Sequence, residues 1–264
     1  MKYIQRLRHE LKLLLVAIQF LTRLPVPALP DYQPQWLHQS ARWFPFTGLL
    51  VGSLTAGVFA LLFWLFNPWV AAIGSTAFSI RLTGAFHEDG LADTCDGLGG
   101  GFTRERALEI MKDSRLGTYG TLGLVLALAL KVALLASLPL LWAVVALVLA
   151  HGFSRWFSIL LIHRLDYAGD LDHAKAKPLA QHLSLQQALF ALATLSPALL
   201  LSHLLLPDTQ WYGWLLPLLL MLLTGWYMAR LLHRRLGGYT GDGLGATQQL
   251  TELAAYAGLV LLCP

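Results

Sequence analysis

"TYGTLGLVLALALKVALLASLPLLWAVVALVLAHGFSRWFSILLI", residues 118–162, consists of two apolar runs joined by a tight turn at 137–139. Each run is close to the ~20 residues a helix needs to cross a bilayer. Outward from this pair, similar runs read as spans at 45–66, 69–86, 185–206 and 211–232, and a short one at 250–262 makes seven with 118–137 and 140–162. Composition agrees: the 264 residues are 56% hydrophobic, against about 45–50% in ordinary soluble domains. Mean hydropathy is +0.57. These runs favour helices over a β-barrel, so the fold class is an all-α polytopic membrane bundle. Residues 11–24 carry Lys12 and Arg23 and lack a small-residue cleavage pattern, which reads as a short interfacial helix and not a signal peptide. With no internal repeat, linker or low-complexity tract, 1–264 reads as a single membrane-embedded domain.

Sidedness follows from the connections. Those at 67–68, 137–139 and 206–210 hold no Lys or Arg, whereas the N-terminus, 104–115, 164–177 and 230–235 hold the basic residues. By the positive-inside rule the basic segments face the cytoplasm. The formal net charge of +4 then bears on orientation and gives no reason to expect a nucleic-acid partner. Four charges resist the layout. Arg81 and Lys131 fall inside spans, where a charge usually faces a cavity or a partner; Arg42 and Arg155 sit near span ends, where snorkelling is the alternative. Cys95 and Cys263 lie far apart, and no disulfide is expected.

The acids concentrate in "GAFHEDGLADTCDGLGGG", residues 84–101. If 84–97 continues the preceding span, Asp89, Asp93 and Asp96 are spaced i, i+4, i+7 and share one helix face. Three close anions repel one another, and desolvation near a membrane adds to the cost unless a cation resides there. Hard oxygen ligands without Cys/His spacing favour Mg²⁺, or Mn²⁺ or Ca²⁺, over zinc. The alternative is a solvated acidic cap. Glycines at 97–101 and the run "TRERALEIMKDSRLGTYG", residues 103–120, weigh against it. Lys112, Ser114 and Arg115 followed by Gly117 and Gly120 read as a phosphate cradle, the alternative being a basic interfacial collar. A second glycine-rich stretch, "GGYTGDGLG" at 237–245, reads as a loop that supplies Asp242 as a fourth carboxylate.

At this point "HEDGLADTCDG", "KDSRLGTYG" and "GGYTGDGLGA", with "FLTRLPVP" at 20–27 and "HGFSRW" at 151–156, resemble the cobalamin synthase (adenosylcobinamide-GDP ribazoletransferase) family over nearly the whole chain. The resemblance implies an Mg²⁺-dependent enzyme of the bacterial inner membrane, and the positive-inside layout puts its active site towards the cytoplasm. It would join α-ribazole, or its 5′-phosphate, to adenosylcobinamide-GDP and release GMP. Such phosphoryl transfer needs charge neutralisation and positioning more than a covalent nucleophile.

On this reading Asp89, Asp93, Asp96 and Asp242 are the metal ligands, with Glu88 and Asp113 as second choices. Lys112, Ser114 and Arg115 hold phosphates. His151, Ser154 and Arg155 line the corrinoid cavity or pack helices, and Arg23 and Lys177 are further substrate candidates. His87 is a base or a supporting residue. Trp43 and Trp156 are candidates for stacking on a ring, and the other tryptophans, such as Trp69, Trp142 and Trp211, for interfacial anchors. A homo-oligomer is compatible with the sequence. Two rivals remain. Asp93, Asp96 and Gly97 reproduce the D-x-x-D-G opening of CDP-alcohol phosphotransferases, without the rest of that signature. A divalent-cation transporter would place carboxylates along its path, whereas these cluster at one edge.

Overall fold

The computed structural model describes residues 2–169, 183–206 and 214–263. Among these the chain is helical: α1 (Lys2–Leu21), α2 (Gln35–Ser40), α3 (Phe44–Leu65), α4 (Pro68–Thr83), α5 (Phe86–Gly100), α6 (Arg104–Lys112), α7 (Thr118–Ser137), α8 (Leu140–Arg164), α9 (Leu185–Ala193), α10 (Ser196–Leu205), α11 (Leu215–Leu236) and α12 (Gly241–Leu262). The one extended feature among the described residues is an isolated bridge between Tyr167 and Tyr239. Five stretches are long and apolar enough to cross a bilayer: Gln35–Leu65, Thr118–Ser137, Leu140–Arg164, Leu185–Leu205 and Leu215–Leu236. The molecule is a polytopic helical membrane protein.

Two of the seven expected spans do not stand by themselves. The run at 69–86 stops at Thr83 after 16 residues, because Gly84 (φ 71°) and Ala85 (φ 61°) are both left-handed and turn the chain. The short run at 250–262 is the second half of α12, which begins nine residues earlier at Gly241. The run at 185–206 is one span in two pieces. Pro197 sits in the first turn of α10, and because it lacks an N–H and restricts the residue before it, the helix breaks between Ala193 and Ser196. The expected start of the 211–232 span, with Trp211, lies outside the described residues.

The bundle has an apolar core and also buries a set of polar side chains. α8 forms its centre, and α3 packs so closely on it that a Cβ on Gly48 would lie 2.2 Å from the His151 carbonyl oxygen. Small residues allow that approach where lipid supplies no hydrophobic drive. α7 turns Leu122, Leu126 and Leu130 outward and buries Gly120, Ala127, Lys131 and Leu135. α12 buries Thr247, Gln248, Gln249, Thr251 and Glu252 among others. The expected interfacial helix is α1, which starts well before residue 11. It buries Leu13, Val16, Ala17 and Leu21 and leaves Ile4, Leu7 and Leu11 exposed. Glu10 fastens it, accepting from Arg42 Nη2 at 2.8 Å and from Trp43 Nε1 at 3.0 Å.

Candidate functional site

The acidic helix is not a continuation of the span before it. After the left-handed pair Gly84–Ala85 the chain restarts as α5, with Glu88 and Asp89 in the first turn, where they complement the helix dipole. The i, i+4, i+7 spacing of Asp89, Asp93 and Asp96 survives, but the three do different things. Asp89 is exposed and Asp93 half-buried. Asp96 is buried and accepts two backbone hydrogen bonds at 2.8 Å, from Gly117 N–H and Gly120 N–H at the start of α7. Those two N–H groups, expected to cradle phosphate, are therefore committed to Asp96. A Cβ on Gly120 would lie 2.3 Å from an Asp96 oxygen, which is why glycine stands there.

The fourth carboxylate arrives on a helix and not on a loop. Gly237 (φ 78°) ends α11, and Thr240 caps α12 by accepting from Gly243 N–H at 3.0 Å. The first turn of α12 lies directly on α5, so that a Cβ on Gly90 would come within 2.9 Å of the Asp242 carbonyl oxygen. This contact puts Asp242 within electrostatic reach of Asp93 and Asp89. Burial first, and then those two charges, raise the Asp242 carboxyl to about 7. Burial, then Asp89 and Asp96, raise Asp93 to about 6. No cation figures among the causes of either shift. His87, one turn earlier, is held well below the ordinary histidine range by burial and then by Arg155. Among the described residues, no three His, Cys, Asp or Glu side chains converge into a ready-made metal shell.

The basic loop hangs from this edge. Lys112, Ser114 and Arg115 are exposed. Arg115 binds Asp113 through Nε at 3.0 Å and through Nη2, so Asp113 serves the loop and does not face α5. The Asp96–Gly117 bond ties the loop's end to the acidic helix. Arg23 donates its backbone N–H to the Leu82 carbonyl at 2.7 Å, and its guanidinium covers the Gly84 corner. Arg81 is exposed in the last turn of α4, where a cation suits the helix end. Arg235 Nη2 donates to the Gly101 carbonyl at 2.6 Å and Arg104 Nε to the Leu236 carbonyl at 2.7 Å, tying off the ends of α5 and α11. Lys177 lies outside the described residues.

Beneath the acids lies a buried polar network, most of which the sequence reading missed. Lys131 Nζ pairs with Glu252 Oε1 at 2.8 Å and donates to Gln249 Oε1 at 3.2 Å. Gln249 Nε2 donates to Glu88 Oε1 at 2.9 Å. Tyr256 donates to Glu252 at 2.9 Å, and Gln248 Nε2 donates to Glu252 and to Ser154 Oγ. His151 Nδ1 lies 3.5 Å from Glu252, and Arg155 Nη1 donates to the His151 carbonyl at 2.9 Å. His151, Ser154 and Glu88 are thus buried network members, where a wide cavity or metal shell was expected. Arg155, with His87 and Ser158, lines only a small cavity of about 40 Å³ beside Gly241 and Gly245. Trp156 Nε1 donates to the Ala188 carbonyl, and Trp43 packs edge-on against Phe46 and Phe190, so both tryptophans hold helices together. A signal for the network did exist: Gln248, Glu252 and Tyr256 recur every four residues, opposite a lone lysine inside a span.

Comparison with known proteins gives the family of the chain. The cobalamin-5-phosphate synthase family profile matches residues 13–260. An adenosylcobinamide-GDP ribazoletransferase of Leptothrix cholodnii is 49% identical, with 95% of each chain covered. That of Shewanella amazonensis is 44% identical with 97% of each chain covered, and that of Vibrio cholerae serotype O1 is 43% identical with 97% of this chain and 95% of the relative covered. No solved structure matches.

Proposed function

The chain belongs to the cobalamin-5-phosphate synthase family, and from that premise we propose that it performs the reaction its relatives are named for. The ribose 3′-hydroxyl of α-ribazole, or of its 5′-phosphate, attacks the phosphorus on the cobinamide side of adenosylcobinamide-GDP. A new O–P bond forms, the bond to GMP breaks, and GMP leaves with the bonding electron pair.

One observation carries this reading: the first turn of α12 lies on α5 at Gly90, which brings Asp242 within electrostatic reach of Asp93 and Asp89, some 150 residues earlier in the sequence, so that burial and those two charges raise its pKa. Such a set fits a hard divalent ion that keeps waters and accepts phosphate oxygens, and it needs no closed protein shell. Asp89, Asp93 and Asp242 would hold Mg²⁺, which when bound neutralises phosphate charge and lowers the pKa of a hydroxyl. Asp96 instead fixes the start of α7 and the loop before it. Lys112, Ser114 and Arg115 on that loop meet the diphosphate and then GMP, with Asp113 holding the Arg115 guanidinium ready. A carboxylate of the set not fully committed to the ion would accept the attacking hydroxyl's proton, with buried His87 as a supporting residue behind it. Glu88, His151 and Ser154 support the site from within. The basic segments orient the acidic edge to the cytoplasm of a bacterial inner membrane.

The test is the identity of the released nucleotide. Protein supplied with Mg²⁺, adenosylcobinamide-GDP and α-ribazole phosphate should release GMP. Release of CMP from a CDP-lipid and an alcohol, with no GMP formed, would instead favour the phosphotransferase rival, and metal flux into proteoliposomes without nucleotide the transporter.

A further inference from the structure

α5 is a weak helix by its own sequence. Four of its 15 residues are glycine, it has no side-chain N-cap, and the chain enters it through two left-handed residues. Its rotation about its axis is therefore set by what it touches. At the C-terminal end the tethers are the Asp96 bonds to α7 and Arg235 on the Leu98 and Gly101 carbonyls. In the middle it is the Gly90 contact with α12. At the N-terminal end Phe86 packs on Phe20 and the His87 backbone lies against Gly245, and the polar side-chain tether is Glu88, immediately before Asp89. Glu88 is 6% exposed; its Oε1 accepts from Gln249 and its Oε2 has no partner.

We propose that Gln249 is a positioning residue for the acidic site: its amide joins the Lys131–Glu252 ion pair to Glu88 and so fixes the rotation of α5 that sets Asp89 and Asp93 against Asp242. This rests on the reading of those carboxylates as the ion-holding group. The chemistry requires an amide at 249. Its oxygen accepts from the Lys131 ammonium while its nitrogen donates to the Glu88 carboxylate. A carboxylate there would repel Glu88, and a cation would repel Lys131. Without the amide, Glu88 is a buried carboxylate with no hydrogen-bond donor, and it gains by swinging towards water, taking the first turn of α5 with it. The intramembrane ion pair thereby becomes part of the site's geometry as well as of the bundle's packing.

The experiment uses the full-length chain with Cys95→Ser and Cys263→Ser. Asp89→Cys and Asp242→Cys are introduced in this background and joined by a short bifunctional thiol reagent, a readout that needs neither metal nor turnover. Gln249→Met should lower the cross-linking yield several-fold. In the chain with its carboxylates intact, Gln249→Met should weaken Mn²⁺ binding, read by electron paramagnetic resonance, by about tenfold, the scale of one lost charge-assisted hydrogen bond. The exchange Glu88→Gln with Gln249→Glu rebuilds the bond with donor and acceptor reversed and keeps the acceptor for Lys131. It should restore both readouts, while Gln249→Glu alone should not. Should Gln249→Met fail to assemble, the exchange against its single variants decides. Unchanged cross-linking in Gln249→Met, or an exchange no better than Gln249→Glu alone, overturns the proposal. Wild type that binds no Mn²⁺ while its cross-linking still depends on residue 249 would sink the ion-holding reading and leave the positioning role standing.

Discussion

α7 and α12 run through the same bundle, are 20 and 22 residues long, and use their surfaces in opposite ways. α7 is the more apolar and shows its leucines to lipid: Leu122, Leu126 and Leu130 are exposed, and its lysine points inward. α12 turns glutamines, threonines and a glutamate inward and reaches its single first-turn carboxylate to the acidic edge. Side chains on a lipid face need only be apolar, whereas an inward polar side chain needs a specific partner. Hydropathy therefore marks lipid-facing α7 and central α8 alike and passes over α12, whose first turn brings Asp242 to the site.

The contrast is broken most severely at the one place where the two helices share a charge pair. Lys131→Met alone takes the ammonium from buried Glu252, leaving it the Gln248 and Tyr256 donors and His151 at 3.5 Å, and should cost about 3–5 kcal/mol, seen as a large fall in the thermal midpoint in detergent. Lys131→Met with Glu252→Gln should recover most of that loss; a double variant as unstable as the single would mean that the pair does not account for the effect.

Next in size is the division among the acids of α5. Asp93→Asn should lower GMP release by about a hundredfold or more, the scale of removing one preorganised electrostatic contact, with the thermal midpoint unchanged or raised. Asp96→Asn should act differently, because an amide cannot accept from both Gly117 and Gly120 with the same geometry, and should lower stability by about 1–3 kcal/mol. Equal effects of the two on turnover and stability would erase the distinction drawn between them.

A smaller effect is expected from pH. Asp93 at about 6 and Asp242 at about 7 stand above the unfolded value of about 3.9. Raised acids bind protons more tightly when folded, so their contribution to stability is complete below about pH 4 and is lost as pH rises through about 7. In chelator the thermal midpoint should fall over that window; Asp242→Asn should flatten the slope, and Mg²⁺ at pH 8 should reverse the fall. At the small end, Leu126→Ala on the lipid face of α7 should change stability by within about 0.5 kcal/mol. A larger cost would mean that this face packs against protein.

The sequence discloses the helical class, the spans at 118–137 and 140–162, and the spacing of Asp89, Asp93 and Asp96, because hydropathy and helical period are local properties. Gly84 is an ordinary helix-end signal, but the left-handed Ala85 after it is held by its surroundings and is not legible from its residue type. The roles of Gly117, Gly120 and Gly237–Gly243 are hidden for a related reason: a glycine needed for close approach looks the same as one needed for flexibility until the neighbour is seen. Asp242 was legible by type, but the Gly90 contact that brings it to α5 spans the whole second half of the chain. Glu252 went unnoticed because its partner, Lys131, sits on a different helix, and a lone charge in each span names no pair.

Whether Asp93 and Asp242 hold the same ion is open to direct test by a double-mutant cycle. GMP release is followed as a function of Mg²⁺ in wild type, Asp93→Asn, Asp242→Asn and the double variant. Residues acting as one unit lose their effect together, so the double variant should be no slower than the worse single variant, and all three should lose the steep Mg²⁺ dependence of wild type. Losses that multiply, or a wild-type rate indifferent to chelator, would contradict a shared divalent site between α5 and α12.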